Sequence, residues 1–377
     1  MKETESMRIA VVGLGLIGAS FAASYRAVYP QGYLIGADSS ADTRKIALDR
    51  GWVNQTFTPD DPAFATECLN CDVVLLALPA AAARPYFEML NEIGYQGIIT
   101  DTASTKHRIC EDAQETLGDT SLFIPGHPMA GSEVNGIEGA RLDLFKGAHW
   151  ILCPDEHTQP DKYAKLHALL TGIGARVVSL PRDQHDAAVA VVSHVPHIIA
   201  ASLVELASDH ARGHRSLFRL AAGGFKDSTR IAAGSPELWC GITFDNAQAV
   251  RDGLEEIEGI IDRYKQAIEQ DDRATLTDLL SASARTRRSL PTSWIPSSDN
   301  LLEVRIPMEN RQGVVAEVTT IASRVGCNIQ SIEIDHITAD SAVLSLILTD
   351  EGDVGQLSSN LINAGFTVSF SPLSAKE

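Results

Sequence analysis

Basic residues are scarce in this chain of 377 residues: 31 Lys and Arg stand against 49 Asp and Glu, for a formal net charge of −18. Nucleic-acid binding depends on clustered Lys and Arg, so this balance argues against a nucleic-acid partner. The short basic run Arg285–Arg288 is interpreted as a solvated helix end. A secretion signal is not expected either, because Glu3 and Glu5 precede the apolar stretch Ile9–Ala19.

The sequence also lacks the two C-x-x-C motifs that a typical zinc site requires. The six cysteines are scattered, and Cys68–Cys71 is a lone C-x-x-C without a second pair at zinc-site spacing. We therefore expect free thiols, no metal and a reducing, cytoplasmic location. The apolar run Ala187–Ala207 is about long enough to cross a membrane, but it contains Ser193, Pro196 and Glu205, so we expect a buried helix and no membrane partner.

Short apolar, β-branched runs alternate with helix-like stretches in the first half of the chain, which predicts a Rossmann-type, doubly wound parallel sheet of the α/β class. The predicted strands are Ile9–Val12, Tyr33–Ala37, Val73–Leu78, Ile98–Thr100, Leu122–Pro125, Trp150–Cys153 and Val177–Leu180. This pattern places the α/β domain at residues 1–181.

The pattern then becomes helical, which predicts an all-helical domain at 182–290. Pro and Ser mark a linker at 291–299. Residues 300–377 follow the order β-α-β-β-α-β, which predicts a ferredoxin-like domain.

The clearest motif is a G-x-G-x-x-G that follows the first strand and opens a helix. Gly13 permits the tight turn, Gly15 lets the backbone approach a pyrophosphate, and Gly18 allows close packing of the helix. Asp38 ends the second strand, where it accepts hydrogen bonds from ribose hydroxyls and repels a 2′-phosphate, so NAD is the expected cofactor, although nearby Arg44 fits NADP. The other residues expected beside the cofactor are Leu16, Ile17 and Pro79.

Four polar segments fall where strand ends and the helical domain would meet. They are Asp101–Lys106, His127–Glu133, Ser193–His197 and Gly223–Arg230. Together with the glycine loop, these segments closely resemble the prephenate and arogenate dehydrogenases, over nearly the whole first 290 residues.

The resemblance implies that hydride leaves the carbinol carbon of prephenate for NAD while the ring carboxylate departs as carbon dioxide. His127 would accept the hydroxyl proton, since neutral imidazole is an acceptor near physiological pH. Ser104 matches a hydroxyl that bonds both the substrate and that histidine. Arg230 and Lys226 are candidates for binding the carboxylates. The other matched substrate residues are Ser132, Glu133, His197, Asp227 and Trp239, with Glu133 and Asp227 matching acidic gate residues.

The C-terminal segments Asn310–Val315 and Gly326–Ile329 resemble the ACT family of amino-acid sensors. This resemblance implies binding of an aromatic amino-acid effector, tyrosine or phenylalanine, and feedback regulation. The implied effector residues are Arg311, Gln312, Gly313, Val314, Asn328 and Ile329. A purely structural role in dimerisation stays open for this domain.

Two alternatives to a prephenate dehydrogenase stay open: an arogenate dehydrogenase and an inactive sensor that binds NAD and an amino acid. A β-hydroxyacid dehydrogenase shares the domain plan, but that class lacks the His127–Glu133 segment paired with the Arg230 segment. The retention of Ser104, His127 and Arg230 argues against the sensor. The long apolar faces of the helical domain, and the dimers that this family forms, predict a homodimer.

Overall fold

The computed structural model describes residues 7–132, 134, 136–211, 222–289, 301–309, 311, 313–336, 341–349 and 352–373. The chain divides into two compact units, Met1–Ile257 and Glu258–Glu377, each of which is described by itself.

The first unit contains a six-stranded parallel sheet with the order β3-β2-β1-β4-β5-β6. Its strands are β1 (Arg8–Val12), β2 (Tyr33–Ala37), β3 (Gln55–Phe57), β4 (Val73–Leu76), β5 (Ile98–Asp101) and β6 (Phe123–Ile124). Its helices are α1 (Leu16–Val28), α2 (Ala41–Asp49), α3 (Pro62–Cys68), α4 (Arg84–Glu92) and α5 (His107–Thr116). The order places the reversal between β1 and β4, where doubly wound sheets bind dinucleotides at the carboxyl ends of the strands.

Continuous apolar sequence explains the central strands. All four residues of β4 are buried, as are four of the five in β1 and β2, which is expected where helices cover both faces. Cys68 and Cys71 lie in the hydrophobic core, in agreement with a packing role. Strand β3 escaped prediction because Gln55-Thr56-Phe57 is short and partly exposed.

The prediction that all strands of this domain share one parallel sheet was wrong. A separate three-stranded sheet has the order β7-β8-β9, formed by β7 (Gly126–Pro128), β8 (His149–Leu152) and β9 (Arg176–Ser179). Strand β7 runs antiparallel to β8, and α6 (Pro160–Gly172) connects β8 to the parallel β9. Gly126-His127-Pro128 carries no apolar pattern, so only tertiary pairing shows that it is a strand.

A long helix follows the second sheet, in three parts: α7 (Arg182–Val189), a π turn (Ala190–His194) and α8 (Val195–Ala211). Pro196 cannot donate a backbone hydrogen bond, and the π turn ends two residues before it. The expectation of a buried helix was wrong for the single chain: only 33% of its most apolar window is buried, although length and composition would allow it to cross a membrane. The exposed apolar side chains include Val191, Val192, Leu203, Val204 and Leu206.

The remaining helices are α9 (Gly223–Thr229), α10 (Pro236–Asp245), α11 (Ala247–Glu269) and α12 (Arg273–Ser289). The division between the two units falls within α11. The predicted linker at 291–299 lies outside the described residues.

The C-terminal part of the second unit has the predicted ferredoxin-like order. It consists of β10 (Leu301–Glu309), α13 (Val314–Arg324), β11 (Ile329–His336), β12 (Ser341–Leu348), α14 (Val354–Asn363) and β13 (Ser369–Leu373). The strands form an antiparallel sheet with the order β11-β12-β10-β13. The alternating residues Val304 and Ile306 are fully buried and pack with Val318 and Ala322 of α13 in one core.

Gly18 tests the packing of α1 on the sheet. A Cβ added there would lie 1.9 Å from the Gly13 carbonyl oxygen and 3.0 Å from the Ala77 Cβ, whereas one added at Gly15 meets no atom within 4 Å. We expect Gly18→Ala to lower the free energy of unfolding by about 1–3 kcal/mol in urea denaturation. Gly15→Ala, the control, should change it by less than about 0.5 kcal/mol; equal losses in both variants would contradict this account.

Candidate active site

The glycine loop has the geometry that a pyrophosphate requires. Gly13 has a φ of +87°, and an added Cβ would lie 2.4 Å from the Ala77 carbonyl oxygen, so both conformation and space require glycine there. Gly15 is the N-cap of α1 and contributes no side-chain cap, so the first N–H groups of that helix are not capped by its own N-cap residue. This arrangement fits a dinucleotide phosphate, since backbone donors and the helix dipole both favour an anion.

Asp38 lies directly after β2 and is oriented by the backbone. Its Oδ2 accepts a hydrogen bond from the Leu14 N–H at 2.9 Å, and its Oδ1 accepts one from the Ser40 N–H at 2.8 Å. Arg44 donates to the carbonyl oxygens of Asp38 and Ser39 at 2.6 and 3.0 Å. The Asp38 carboxylate is therefore held beside the glycine loop, in the position expected of a ribose acceptor.

A cleft of about 600 Å³ opens beside the glycine loop. It brings together Gly15, Leu16, Ile17, Pro79 and Ser104, all of which were predicted site residues. Helix α10 forms another wall, with Leu238, Gly241, Ile242, Phe244 and Asp245.

His127 lies within β7 and is buried, not after a strand as the sequence suggested. Its Nδ1 lies 2.9 Å from Nε2 of His185, and the two rings meet edge to face. Burial, followed by the positive charge of Lys106 and the neighbouring His185 and His194, holds the pKa of His127 well below 6.5. His127 is therefore neutral at physiological pH, as a proton acceptor must be.

A buried ion pair joins the ends of β5 and β7. The Lys106 ammonium binds the Asp101 carboxylate and also donates to the Gly126 carbonyl oxygen at 2.6 Å. Asp101 also accepts hydrogen bonds from the N–H groups of Ala103 and Gly126 at 2.8 and 2.9 Å. These contacts position both the Ser104 loop and the residue before His127.

His197 and Trp239 form an aromatic platform in the helical part. Their rings stack with centroids 3.5 Å apart and planes 13° apart, and Trp239 also meets His194 edge to face. Burial lowers the pKa of His197 and lowers that of His194 to about 4, so both rings are neutral at pH 7. The buried Nδ1 of His197 has no hydrogen-bond partner within the described part of the chain.

The predicted carboxylate-binding segment is exposed. Lys226 and Asp227 lie on α9, and Arg230 begins the 3-10 turn that follows; α8 packs against both. That turn ends at Gly234, where an added Cβ would approach Trp239 Nε1 at 2.5 Å and His197 Cε1 at 3.4 Å. The C-terminal end of this segment, at Gly234, therefore lies next to the His197–Trp239 platform. Ser132 is half-buried and accepts a hydrogen bond from the Val134 N–H, while Glu133 lies outside the described residues.

Sequence analysis missed Arg108, Asp245 and Asp186 at this site. Arg108 of α5 forms a 3.2 Å ion pair with Asp245 of α10, and both line the cleft. Asp186 accepts hydrogen bonds from His185 Nδ1 and from the backbone N–H groups of Lys106 and His107. The adjacent His185 and Asp186 on α7 were the available signal, but adjacency does not reveal a partner at position 127.

The predicted effector residues lie around the start of α13 and of β11. Gly313 is the N-cap of α13 with a φ of +88°, and the following Val314 is buried. Arg311 forms a 2.7 Å ion pair with Glu317. The backbone oxygen of exposed Asn328, which precedes Ile329 of β11, accepts a hydrogen bond from Thr349 N–H. Gln312 lies outside the described residues.

Two family models match the chain in succession: the nucleotide-binding domain of prephenate dehydrogenase over residues 21–179 and its dimerization domain over 181–282. The prephenate dehydrogenase of Bacillus subtilis is 32% identical over 94% of both chains. The chain belongs to the prephenate dehydrogenase family. The expectation of an NAD-dependent oxidoreductase of this family is thereby confirmed.

Some relatives of this chain are named for other substrates. The cyclohexadienyl dehydrogenase of Zymomonas mobilis is 32% identical, covering 75% of this chain and 96% of that one. Among solved structures, prephenate dehydrogenase from Aquifex aeolicus, in complex with hydroxyphenyl propionate and NAD+, has a TM-score of 0.69 and 28% identity, covering 76% of this chain and 98% of that one. Arogenate dehydrogenase from Synechocystis has a TM-score of 0.65 and 30% identity, covering 76% and 100%.

A substitution at Lys106 tests how much the buried ion pair stabilises the fold. Lys106→Met would leave the fully buried Asp101 carboxylate without its cation, and we expect the free energy of unfolding to fall by about 3–5 kcal/mol. The double variant Asp101→Asn/Lys106→Met should recover part of that loss, because no buried charge remains. Chemical denaturation of both variants checks this, and a loss below about 1 kcal/mol in the single variant would contradict it.

Proposed function

We propose that this chain catalyses the oxidative decarboxylation of prephenate to 4-hydroxyphenylpyruvate with reduction of NAD, in tyrosine biosynthesis. The observation that carries the proposal is a buried, neutral His127 on a strand tied by Asp101 and Lys106 to the Ser104 loop, which lines the same cleft as the dinucleotide loop.

The glycine loop and Asp38 would hold NAD, which accepts the hydride from the carbinol carbon of the substrate. His127 accepts the hydroxyl proton as the carbonyl forms, and Ser104 orients that oxygen. The bond between the ring and its carboxylate then breaks, and carbon dioxide leaves. The electron pair of that bond completes the aromatic ring and returns charge to the carbonyl oxygen, which takes the proton back from His127 to become the phenol hydroxyl. Arg230 and Lys226 bind substrate carboxylates, and the His197–Trp239 platform contributes an apolar face for the ring.

The predicted binding roles of Ser132, Glu133 and Asp227 are part of this proposal. Asp227 lies beside Lys226 on α9, where a carboxylate can pair with the cations that meet the substrate. Prephenate and arogenate differ at the side chain, which carries a ketone in the first and an amino group in the second. Arogenate is the second candidate substrate, favoured by the similarity to the Synechocystis enzyme.

The helical part supports a homodimer. The match to a dimerization domain covers residues 181–282, and the helix Arg182–Ala211 exposes Val191, Val192 and Leu206 to solvent in the single chain. An apolar face of this kind is stabilised by a second copy of the same surface. We place the enzyme in the cytoplasm, with this helix covered by its partner and not by lipid.

We propose that the C-terminal ferredoxin-like domain is an ACT domain that binds tyrosine or phenylalanine. Its strand order and the left-handed Gly313 before α13 support this, and the similarity to the Bacillus subtilis enzyme extends over 94% of both chains. An effector inhibits only if it binds a less active state more tightly, because equal affinity for both states shifts no population.

NADH formation at 340 nm, measured with prephenate and with arogenate, tests the reaction. We expect turnover with NAD and a preference for prephenate. His127→Asn should lower kcat by about 10²- to 10⁴-fold with the Kd for NAD unchanged, since a general base contributes that much. The matched control is His157→Asn, an exposed histidine. Preference for arogenate would change the substrate, and unchanged kcat in His127→Asn would remove this residue from the mechanism.

A substitution at Arg311 tests the proposed effector site. We expect tyrosine or phenylalanine to inhibit NADH formation, and Arg311→Ala to weaken that inhibition while turnover without effector stays unchanged. The control is Arg324→Ala, an exposed arginine at the other end of α13. Inhibition curves that coincide for the wild type and Arg311→Ala would contradict the proposed site.

A further inference from the structure

Two buried residues, His185 and Asp186, are connected to His127 and have no role in the proposed reaction. His185 is fully buried on α7, and its Nε2 lies 2.9 Å from His127 Nδ1. Its Nδ1 lies 2.7 Å from Oδ1 of Asp186. The three side chains therefore form a continuous chain of hydrogen bonds that ends at the catalytic histidine.

Asp186 has the contacts of an ionised carboxylate. Oδ1 accepts from the Lys106 N–H at 2.9 Å and Oδ2 accepts from the His107 N–H at 2.8 Å, so the carboxylate caps the first turn of α5. Burial opposes its charge, but the hydrogen bonds from His185 and from the two backbone groups hold the pKa of Asp186 below its usual range. A carboxylate of this kind only accepts, so His185 Nδ1 carries a proton.

The proton on His185 Nδ1 determines the tautomers of His185 and His127. A neutral His185 protonated at Nδ1 has its lone pair at Nε2, which accepts from His127 Nδ1–H. A neutral His127 protonated at Nδ1 has its own lone pair at Nε2, the nitrogen left for a substrate proton. Without the chain of hydrogen bonds, either nitrogen of His127 could carry the proton.

We propose that Asp186 and His185 are positioning residues that hold His127 in its Nδ1–H tautomer and stabilise the imidazolium that forms when Nε2 accepts the substrate proton. This inference rests on the proposed function. The same carboxylate caps the helix that follows the Ser104 loop, so one anion orients the base and fixes the start of α5.

The charged and titratable groups around His127 come from three elements. Lys106 and Asp101 lie at the connection from β5 to α5, His185 and Asp186 on α7, and His194 in the π turn. Asp101 is paired with Lys106, which leaves Asp186, acting through His185, as the anion that supports a positive charge on His127. Removing this support makes His127 less basic, so the acidic limb of the kcat profile should move to lower pH.

The test uses Asp186→Asn and His185→Gln in the full chain. The glutamine side chain of the His185→Gln variant can still accept from His127 Nδ1–H but transmits no charge from Asp186. We expect kcat to fall by about 10- to 100-fold in both variants, the Kd for NAD to stay unchanged, and the acidic limb to move to lower pH. The matched control is Asp183→Asn, an exposed carboxylate on the same helix, which should match the wild type. If Asp186→Asn fails to fold, His185→Gln alone decides.

A second readout does not depend on activity. In the ¹⁵N NMR spectrum of histidine-labelled protein, assigned with His127→Asn, we expect His127 to show a protonated Nδ1 and an unprotonated Nε2, and this preference to weaken in Asp186→Asn. Unchanged kcat in both variants, a fall in kcat without movement of the acidic limb, or an Nε2–H tautomer in the wild type would each overturn the proposal. Wild-type protein inactive on prephenate would instead refute the proposed function, while the tautomer measurement would still decide the hydrogen-bond chain.

Discussion

The carboxylate of Asp101 is the point on which the site depends. It ends β5, binds the buried ammonium of Lys106, and accepts backbone hydrogen bonds from Ala103 and Gly126. A buried charge must have its partners, so these contacts fix the loop that carries Ser104 and the strand that carries His127 together. Strand β7 has only three residues and little apolar surface to hold it in place. The contacts of Asp101 and Lys106 with Gly126 hold it instead.

Burial is the main reason that the base is neutral, because it lowers the pKa of His127. The positive charge of the nearby Lys106 ammonium lowers that pKa further. A lowered pKa keeps the acceptor deprotonated at neutral pH but also makes it a weaker base. The ionised Asp186, reached through His185, opposes that loss of basicity when the proton arrives, so Lys106 and Asp186 act on His127 in opposite directions.

The two sheets of the first unit have different tasks. The six-stranded parallel sheet presents the glycine loop, Asp38 and the Ser104 loop at the carboxyl ends of its strands, where doubly wound folds bind nucleotides. The three-stranded sheet presents His127, and α7 follows it directly with His185 and Asp186. In the proposed reaction, hydride and proton leave the substrate toward groups carried by separate sheets, which Asp101 and Lys106 join.

Local residue types at short spacing were enough to predict the glycine loop, the parallel strands and the ferredoxin-like order, and the polar segments carried the resemblance to the family. Gly13 to Gly18 and the apolar β4 need no distant partner to be recognised. Only the folded chain shows that His127 lies in a strand of a second sheet, that much of the helix from Arg182 to Ala211 is exposed in the single chain, and that hydrogen bonds connect Asp186 through His185 to His127. The strand that carries His127 forms by pairing with β8, the exposure of the helix depends on what packs against it, and the bonds of Asp186 and His185 join residues about 60 to 80 positions apart. None of these leaves a local pattern to detect.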